Sequence, residues 1–358
     1  MDGVAVAAET LEWSLPVPSV QELATRRPET VPERYIRDDM ENIAAIDPSG
    51  CPSLVVPLID MNKLRNNNDS QQQAVELHKL YSACKDWGVF QLQMKSIKKM
   101  REQAKEFFDL PLQEKKRSAQ QPGSLEGYGQ AFVTSKDQKL EWNDMIFLRT
   151  LPAQRRNMSL WPQQPPSFRE TLGNYSENMR EVAVCLMKFM AKALKVEDEK
   201  LSQNFQEGNY EVRMNYYPPC PASERVLGLN PHADISGITL LLECGDMPGL
   251  QVLKDGQWVF VEPIHDAIVV NLGQIIEVTS NGIFKAPQHR AVANGLKERL
   301  SVVTFCYPSS SANIGPAEPL IKLGTPPLYK TVTNEEYFHY FFNRKFDDPF
   351  IDMLKLKP

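Results

Sequence analysis

Apolar and polar residues follow different periods along this chain of 358 residues. Between about 167 and 194 the apolar positions recur three and four residues apart, which is the period of a helix with one buried face. Two more helices are predicted, at about 71–86, after a polar break and with Ser70 as its N-cap, and at 95–109. Two short apolar runs, Leu54–Asp60 with Pro57 at an edge and Val89–Leu92, predict strands between or before these helices.

After the long helix the pattern changes to short strands separated by turn signals. Asp255-Gly256 stands between two apolar runs, 250–253 and 258–261, which is typical of a β-hairpin. The other strands predicted in this half are 211–217, 238–243, 267–272 and 299–306. Many short strands at close spacing indicate a sandwich or barrel. The chain is therefore predicted to be mainly β, with flanking helices.

Composition narrows the classes of protein to which the chain can belong. A hydrophobic fraction of 42% and a charged fraction of 24% are those of an ordinary globular protein. A formal charge of −5 argues against nucleic acid or an anionic membrane as partner, since both attract basic surfaces. No apolar run is long enough to span a membrane, and the first residues do not resemble a secretory signal. A cytoplasmic location is expected.

The metal-binding residue types are few. Six cysteines occur without any CxxC pair, which favours scattered thiols in a reducing compartment over a disulfide framework or a zinc site. Of the five histidines, His265 is expected in an exposed loop, and His78 and His339 in structural positions. A metal site would therefore have to use the remaining two histidines.

Those two histidines, with one aspartate, form a candidate metal site. His232-Ala233-Asp234 is predicted at the start of a β segment, where residues two apart point to the same side. His289 follows in a later segment. Two imidazoles and one carboxylate form the facial triad of non-haem Fe(II) oxygenases, which leaves three coordination positions open. An H-x-D step alone also occurs by chance in surface turns, so further residues are needed.

Four further residues supply binding groups for a small dicarboxylate. Arg299 presents a planar fork of donors that fits a carboxylate, and Ser301 lies on the same strand face. Asn215 and Tyr217 share a face of another strand and suit the other end of such a molecule. Arg299 alone could be a solvated charge, and Tyr217 alone a half-buried aromatic residue. Their occurrence in order with the metal triad favours a binding site.

These motifs resemble those of one family, the plant 2-oxoglutarate/Fe(II)-dependent dioxygenases. The motifs that carry the resemblance are Asn215-Tyr216-Tyr217-Pro218-Pro219-Cys220, His232-Ala233-Asp234, His289-Arg290 and Arg299-Leu300-Ser301, in the family's order and spacing. The first half is similar to the senescence-related and norcoclaurine-synthase-like branch. That similarity rests on Val17–Leu23, Val31–Tyr35 and Glu126–Phe132.

The resemblance implies a distorted double-stranded β-helix (jelly-roll) core with helices around it. It implies that His232, Asp234 and His289 bind Fe(II), and that Arg299 and Ser301 bind the far carboxylate of 2-oxoglutarate, with Tyr217 and Asn215 helping to place it. The pocket for the organic substrate is expected near Phe132, Phe305 and Phe338.

The resemblance also implies an activity. The expected reaction uses O2 and 2-oxoglutarate, with ascorbate as reductant, and releases succinate and CO2. It hydroxylates, O-demethylates or desaturates a small specialised metabolite such as an alkaloid, flavonoid or phenylpropanoid. A monomer is expected, with no nucleic-acid or membrane partner. Two alternatives stay open: an iron oxidase of the same fold that does not use 2-oxoglutarate, and a non-catalytic ligand-binding homologue.

Four parts of the chain are expected from the resemblance and the element pattern. They are an N-terminal dioxygenase region (1–160), a long helical connector (161–205), the jelly-roll core (206–310) and a C-terminal helical segment that closes the pocket (311–358). Three departures from the family pattern stand out. The Asn-His-Gly usually found shortly after Trp87–Gln91 is missing, which predicts a shorter turn. Ala233 replaces the usual threonine or serine, and Gln274 a common acidic residue.

Overall fold

Two β-sheets and a set of flanking helices make up the computed structural model. The residues that it describes are 15–26, 30–38, 55–66, 68–94, 97–130, 132–196, 199–322, 325–344 and 349–356. The strands are β1 Leu58–Asp60, β2 Val89–Gln93, β3 Gly127–Gly129, β4 Asp144–Leu151, β5 Asn209–Tyr217, β6 Leu227–His232, β7 Ile238–Glu243, β8 Leu250–Lys254, β9 Gln257–Phe260, β10 Ala267–Leu272, β11 His289–Val292, β12 Arg299–Tyr307, β13 Asn313–Ile314 and β14 Val332–Thr333.

The larger sheet has eight strands in the order β1-β2-β10-β7-β12-β5-β4-β3, so it joins strands from both halves of the chain. The smaller sheet has four strands, β6-β11-β8-β9. Leu241 and Val303 of the larger sheet belong to the same buried apolar cluster as Leu250 and Val252 of the smaller one. Two facing sheets with an apolar layer between them confirm the expected jelly-roll core.

Helices flank the two sheets. They are α1 Val20–Thr25, α2 Met61–Arg65, α3 Ser70–Ser82, α4 Lys98–Asp109, α5 Leu112–Lys115, α6 Phe168–Ala193, α7 Glu199–Gln206, α8 Gln274–Thr279, α9 Glu318–Lys322 and α10 Asn334–Asn343. Of these, α1, α3, α4 and α6 contact strands of the larger sheet. The long helix α6 confirms the sequence prediction. Its buried residues include Leu172, Tyr175, Met179, Val182 and Leu186, at the three- and four-residue spacing that marks one apolar face.

Three local predictions were wrong. Strand β1 begins at Leu58, after Pro57, which has no N–H to give to a sheet; residue 54 lies outside the described residues. Helix α3 is capped by Asp69, not by Ser70, because the Asp69 carboxylate accepts a hydrogen bond from the Gln72 N–H at 2.8 Å. The helix also ends at Ser82, and a π-helical turn, Ala83–Trp87, replaces its predicted last turn.

The hairpin agrees with the sequence, whereas part of the predicted short turn lies outside the described residues. Asp255 and Gly256 join β8 to β9 with φ of 51° and 80°, and two positive φ angles are what a tight hairpin turn requires. Strand β2 ends at Gln93 and α4 begins at Lys98; residues 95–96 between them lie outside the described residues. Because β2 pairs with β1 on one side and β10 on the other, the strand before the shortened turn is held on both edges.

One buried carboxylate contributes hydrogen bonds to the contact between the N-terminal arm and the larger sheet. Asp144, at the start of β4, accepts hydrogen bonds from the Ser19 hydroxyl at 2.5 Å and from the Val20 N–H at 2.7 Å. It accepts two more from the Gln21 N–H at 3.1 Å and the Tyr128 hydroxyl at 3.2 Å. Burial raises the pKa of Asp144 although all four donors favour its charged form. Burying this carboxylate therefore costs free energy, and removing it would leave four hydrogen-bond donors without their acceptor.

We expect Asp144→Ala to lower the free energy of unfolding by about 3 kcal/mol, because four donors lose their common acceptor. Denaturant-induced unfolding measures this change. The matched control is Asp69→Ala, which removes an exposed helix cap and should cost about 1 kcal/mol. A loss for Asp144→Ala no larger than that of the control would show that the carboxylate does not fasten the arm.

Candidate active site

The two histidines of the H-x-D and H-R motifs meet across two neighbouring strands. His232 is the last residue of β6 and pairs in antiparallel register with His289, the first residue of β11. The H-x-D step therefore ends a strand, and the prediction that it begins one was wrong. Beyond His232 the chain leaves the sheet to reach β7, and the carbonyl of Asp234 accepts a hydrogen bond from the Gln274 N–H at 2.8 Å. That bond fixes the aspartate at the sheet's end.

The three side chains converge on one point. Oδ1 of Asp234 lies 3.5 Å from Nε2 of His232 and 3.6 Å from Nε2 of His289. The two imidazole centroids are 4.3 Å apart. Candidate ligand atoms of all three residues lie within 4.8 Å of one another. This is a spacing at which three side chains can bind a single ion. His265, in contrast, is exposed, as the sequence predicts, and pairs with Asp266 at 3.0 Å.

Backbone carbonyls orient both imidazoles. Nδ1 of His232 lies 2.8 Å from the carbonyl oxygen of Asn230, and Nδ1 of His289 lies 3.3 Å from that of Pro287. A carbonyl can only accept, so each Nδ1 carries a proton, and each Nε2 is directed at the aspartate, where it is the ring nitrogen available to a metal. Metal-ligating histidines are commonly held by this kind of outer hydrogen bond.

Burial and mutual contact set the charges of the three residues: burial would lower the pKa of His232, but the adjacent Asp234 carboxylate raises it. Burial lowers the pKa of His289 to about 4, and the nearby Asp234 carboxylate only partly offsets this, so the imidazole is neutral at pH 7. Burial alone would raise the pKa of Asp234, but the two imidazoles hold it at about 2. Its Oδ2 is buried without a hydrogen-bond partner. A carboxylate oxygen without a partner, beside two imidazole Nε2 atoms, is a donor set that fits Fe(II).

The same cavity contains the four residues predicted to bind a dicarboxylate. The residues that line it are Arg213, Asn215, Tyr217, Leu229, His232, Asp234, Thr239, Leu241, Leu250, Asn271, His289, Ala291, Arg299, Ser301, Val303 and Phe305. Arg299 is 5% exposed, and its Nε and Nη1 have no hydrogen-bond partner. A buried guanidinium with free donors calls for an anionic ligand, since leaving those N–H groups unpaired is costly.

Two glycines make room for this arginine and for the tyrosine beneath it. The Arg299 guanidinium stacks on the Tyr217 ring, 5.0 Å from its centroid. A Cβ at Gly249 would lie 2.4 Å from Cδ of Arg299, and a Cβ at Gly228 would lie 2.6 Å from Cδ1 of Tyr217. Any larger residue at either position would displace a side chain of the carboxylate-binding end.

Arg213 is a cavity residue that the sequence analysis did not assign. Its Nε donates to Oδ1 of Asn215 at 2.6 Å, and Asn215 in turn donates to Ser301 Oγ at 3.4 Å. The Nη2 of Arg213 has no hydrogen-bond partner, and the carboxylate of Glu141 is 3.9 Å away. The signal was present in the sequence, because residues 213, 215 and 217 share one face of a strand.

The three phenylalanines predicted in the substrate pocket lie in different places. Phe305 lines the cavity. Phe338 packs in a separate cluster against Tyr307 and Tyr337, with ring centroids 5.5 and 5.7 Å apart. Phe132 has a φ of 59°, and its carbonyl accepts a hydrogen bond from the Gln138 side chain. The structure brings only the first of the three to the cavity lining.

Comparison with known proteins agrees with this geometry. A family model described as 2OG-Fe(II) oxygenase superfamily matches residues 209–308, and one described as non-haem dioxygenase in morphine synthesis N-terminal matches residues 56–164. Oxoglutarate-dependent flavonoid 7-O-demethylase 1 of Ocimum basilicum is 42% identical over 96% of this chain and 92% of its own length. The chain belongs to the 2OG-Fe(II) oxygenase superfamily.

Two further relatives strengthen the assignment. S-norcoclaurine synthase 1 of Coptis japonica is 43% identical over 96% of this chain and 97% of its own length, which confirms the predicted branch. The crystal structure of JOX2 in complex with 2OG, Fe and JA superposes with a TM-score of 0.83 at 31% identity and covers 97% of this chain and 100% of that one. This oxygenase therefore uses Fe(II) and 2-oxoglutarate. Within its described residues, no helix is both long and apolar enough to cross a membrane.

We expect His289→Ala, and likewise Asp234→Ala, to lower the affinity for Fe(II) by more than about 100-fold, because each removes one of the three candidate ligands. Anaerobic equilibrium dialysis measures the affinity, and circular dichroism checks the fold. The matched control is His265→Ala, which removes an exposed histidine that also neighbours an aspartate. The Fe(II) affinity of this variant should equal that of the wild type. Retention of Fe(II) by His289→Ala would place the metal elsewhere.

Proposed function

We propose that this oxygenase binds Fe(II) through His232, Asp234 and His289, and 2-oxoglutarate through Arg299 and Ser301. One observation carries the proposal. A buried guanidinium with two unpartnered nitrogens lines the same cavity as a carboxylate oxygen that lacks a partner. The guanidinium requires an anion, which 2-oxoglutarate supplies. The carboxylate requires a cation, which Fe(II) supplies.

The roles of the side chains follow from their positions. Iron, when bound, couples the oxidative decarboxylation of 2-oxoglutarate by O2 to oxidation of a substrate C–H bond. Arg299 and Ser301 hold the far carboxylate and so fix the co-substrate's direction in the cavity. Tyr217 supports the guanidinium from below, and Asn215 holds the Ser301 hydroxyl. Burial of this end keeps water from competing for the same donors.

The organic substrate is proposed to be a small specialised metabolite that is hydroxylated, O-demethylated or desaturated. The cavity that contains the metal and co-substrate residues has apolar walls that suit such a molecule, at Leu229, Leu241, Leu250 and Val303, with the Phe305 ring beside them. The similarity to a flavonoid demethylase supports an aromatic substrate with an O-methyl or hydroxyl group.

Arg213 supplies the polar contact in the substrate part of the cavity. It pairs with Val303 of β12, whereas Arg299 of β12 pairs with Tyr217, so the backbone of Arg213 is offset from that of Arg299 by four residues along the sheet. That offset is roughly 13 Å between Cα positions. One guanidinium can therefore hold the co-substrate while the unpartnered Nη2 of the other receives an oxygen of the organic substrate.

The proposal extends to the location, the partners and the oligomeric state of the protein. The free thiols of Cys84, Cys185, Cys220, Cys244 and Cys306 fit a reducing compartment such as the cytoplasm. The net charge of −5 supports a small-molecule partner over nucleic acid or an anionic membrane. A monomer is proposed, because all the residues of the site come from one chain.

The activity is tested by incubating the protein with Fe(II), 2-oxoglutarate, ascorbate and a panel of flavonoids, alkaloids and phenylpropanoids. Substrate oxidation should release succinate in equal amount, and the product mass distinguishes the reactions. Gain of one oxygen indicates hydroxylation, loss of a methylene demethylation, and loss of two hydrogens desaturation. Oxidation without succinate would favour an iron oxidase that does not use 2-oxoglutarate.

We expect Arg299→Lys to raise KM for 2-oxoglutarate about tenfold, because lysine cannot reproduce the planar fork of donors. Steady-state kinetics with the substrate found in the panel measures the change. Arg225→Lys is the matched control, since Arg225 is exposed and pairs with Asp38. Equal KM values for Arg299→Lys and the wild type would remove Arg299 from the co-substrate site.

We expect Arg213→Met to raise KM for the organic substrate about tenfold, because the substrate loses a charged hydrogen-bond donor, while Fe(II) affinity stays at the wild-type value, because no metal ligand is changed. Arg213→Lys keeps the charge and should recover part of the loss. The same kinetic assay gives both values. An unchanged KM for the organic substrate in Arg213→Met would show that this guanidinium does not contact it.

A further inference from the structure

Glu243 has a buried carboxylate that faces the proposed co-substrate arginine. It is the last residue of β7 and pairs in the sheet with Ser301 of β12. Its Oε1 lies 2.5 Å from Nη2 of Arg299, and its side chain is 7% exposed. Its Oε2 is buried without a hydrogen-bond partner. The carboxylate therefore reaches the guanidinium that 2-oxoglutarate is proposed to use.

The geometry of a guanidinium determines which nitrogens of Arg299 a second carboxylate can use. A carboxylate bound by two parallel hydrogen bonds needs two nitrogens on one edge of the group, either Nε with Nη2 or Nη1 with Nη2. Both edges include Nη2, which is the nitrogen that contacts Glu243. The far carboxylate of 2-oxoglutarate must therefore share Nη2 with Glu243.

Sharing has an electrostatic cost. One guanidinium would carry two carboxylates inside a buried site, and like charges at short range repel strongly where water is excluded. Among the other described contacts, Arg101 donates to the backbone carbonyl of Glu243 at 2.9 Å, not to its carboxylate. Arg299 is thus the cation that the structure provides for the Glu243 side chain.

We propose that Glu243 competes with 2-oxoglutarate for Arg299 and so lowers the affinity of the oxygenase for its co-substrate. This inference rests on the proposed role of Arg299. Before the co-substrate binds, Glu243 neutralises the buried guanidinium. When 2-oxoglutarate binds, its carboxylate takes over part of the hydrogen bonding, and the repulsion between the two carboxylates sets the affinity.

The competing explanation is purely structural, and it predicts the opposite sign. If Glu243 only holds Arg299 in a productive position, removing its charge should weaken the binding of 2-oxoglutarate. If Glu243 competes, removing its charge should strengthen binding, because glutamine keeps the size and an acceptor oxygen but not the negative charge.

The decisive variant is Glu243→Gln, with binding of 2-oxoglutarate measured by anaerobic calorimetry on Fe(II)-loaded protein. We expect its Kd to fall about tenfold, the size of one charge-assisted hydrogen bond. KM for 2-oxoglutarate should fall by a similar factor while kcat stays at the wild-type value. Glu243→Asp, which keeps the charge but withdraws it from Nη2, should give a smaller decrease in Kd and provides a second variant if the first does not fold.

Glu141→Gln is the matched control, because Glu141 is the carboxylate 3.9 Å from the other cavity arginine, Arg213. It should leave the Kd for 2-oxoglutarate unchanged. A Kd that is unchanged or higher in Glu243→Gln would overturn the proposal. Equal tightening by both variants would also overturn it, since the effect would then come from net charge and not from sharing Arg299. Failure of the wild type to bind 2-oxoglutarate would instead contradict the proposed function.

Discussion

The antiparallel pairing of His232 with His289 is the contact on which the active site depends. It places two imidazoles side by side at the end of the smaller sheet, with ring centroids 4.3 Å apart and Asp234 two residues further on. Since side chains alternate between the faces of a sheet, a register slip of one residue would turn one imidazole away from the cavity. The register is held by β8 on the other edge of β11, where Leu250 and Val252 pack into the apolar layer between the sheets.

Buried charge is the second constraint, and it links the fold to the chemistry. Asp234 and Arg299 are both about 5% exposed, and both have polar atoms without partners. Burying such groups lowers the stability of the fold, and the burial of apolar residues around them must offset this loss. Ligands of the opposite charge remove that cost when they bind, so the protein is stabilised by its metal and co-substrate. Glu243 adds a third buried charge, and with it a means of setting how tightly the co-substrate is held.

Much of this fold and site could be predicted from sequence, because the spacing of apolar residues reveals each helix or strand on its own. The strands 238–243 and 267–272 were predicted to the residue, and the alternation of 299 with 301 identified one wall of the cavity. The features missed depend on which strands are neighbours. Glu243 meets Arg299 only because β7 lies beside β12, and Gly249 makes room for the same arginine from the other sheet. No local pattern in the chain encodes such pairings.

The central claim is that metal and arginine hold the two ends of one 2-oxoglutarate molecule. Anaerobic calorimetry of 2-oxoglutarate binding, with and without Fe(II), tests this most directly, because it reports binding without turnover. The account predicts one molecule bound per chain in the presence of Fe(II), and binding weakened by about 100-fold or more in its absence, since one of two anchors is lost. Equal affinity with and without the metal would show that the two anchors do not act on one molecule.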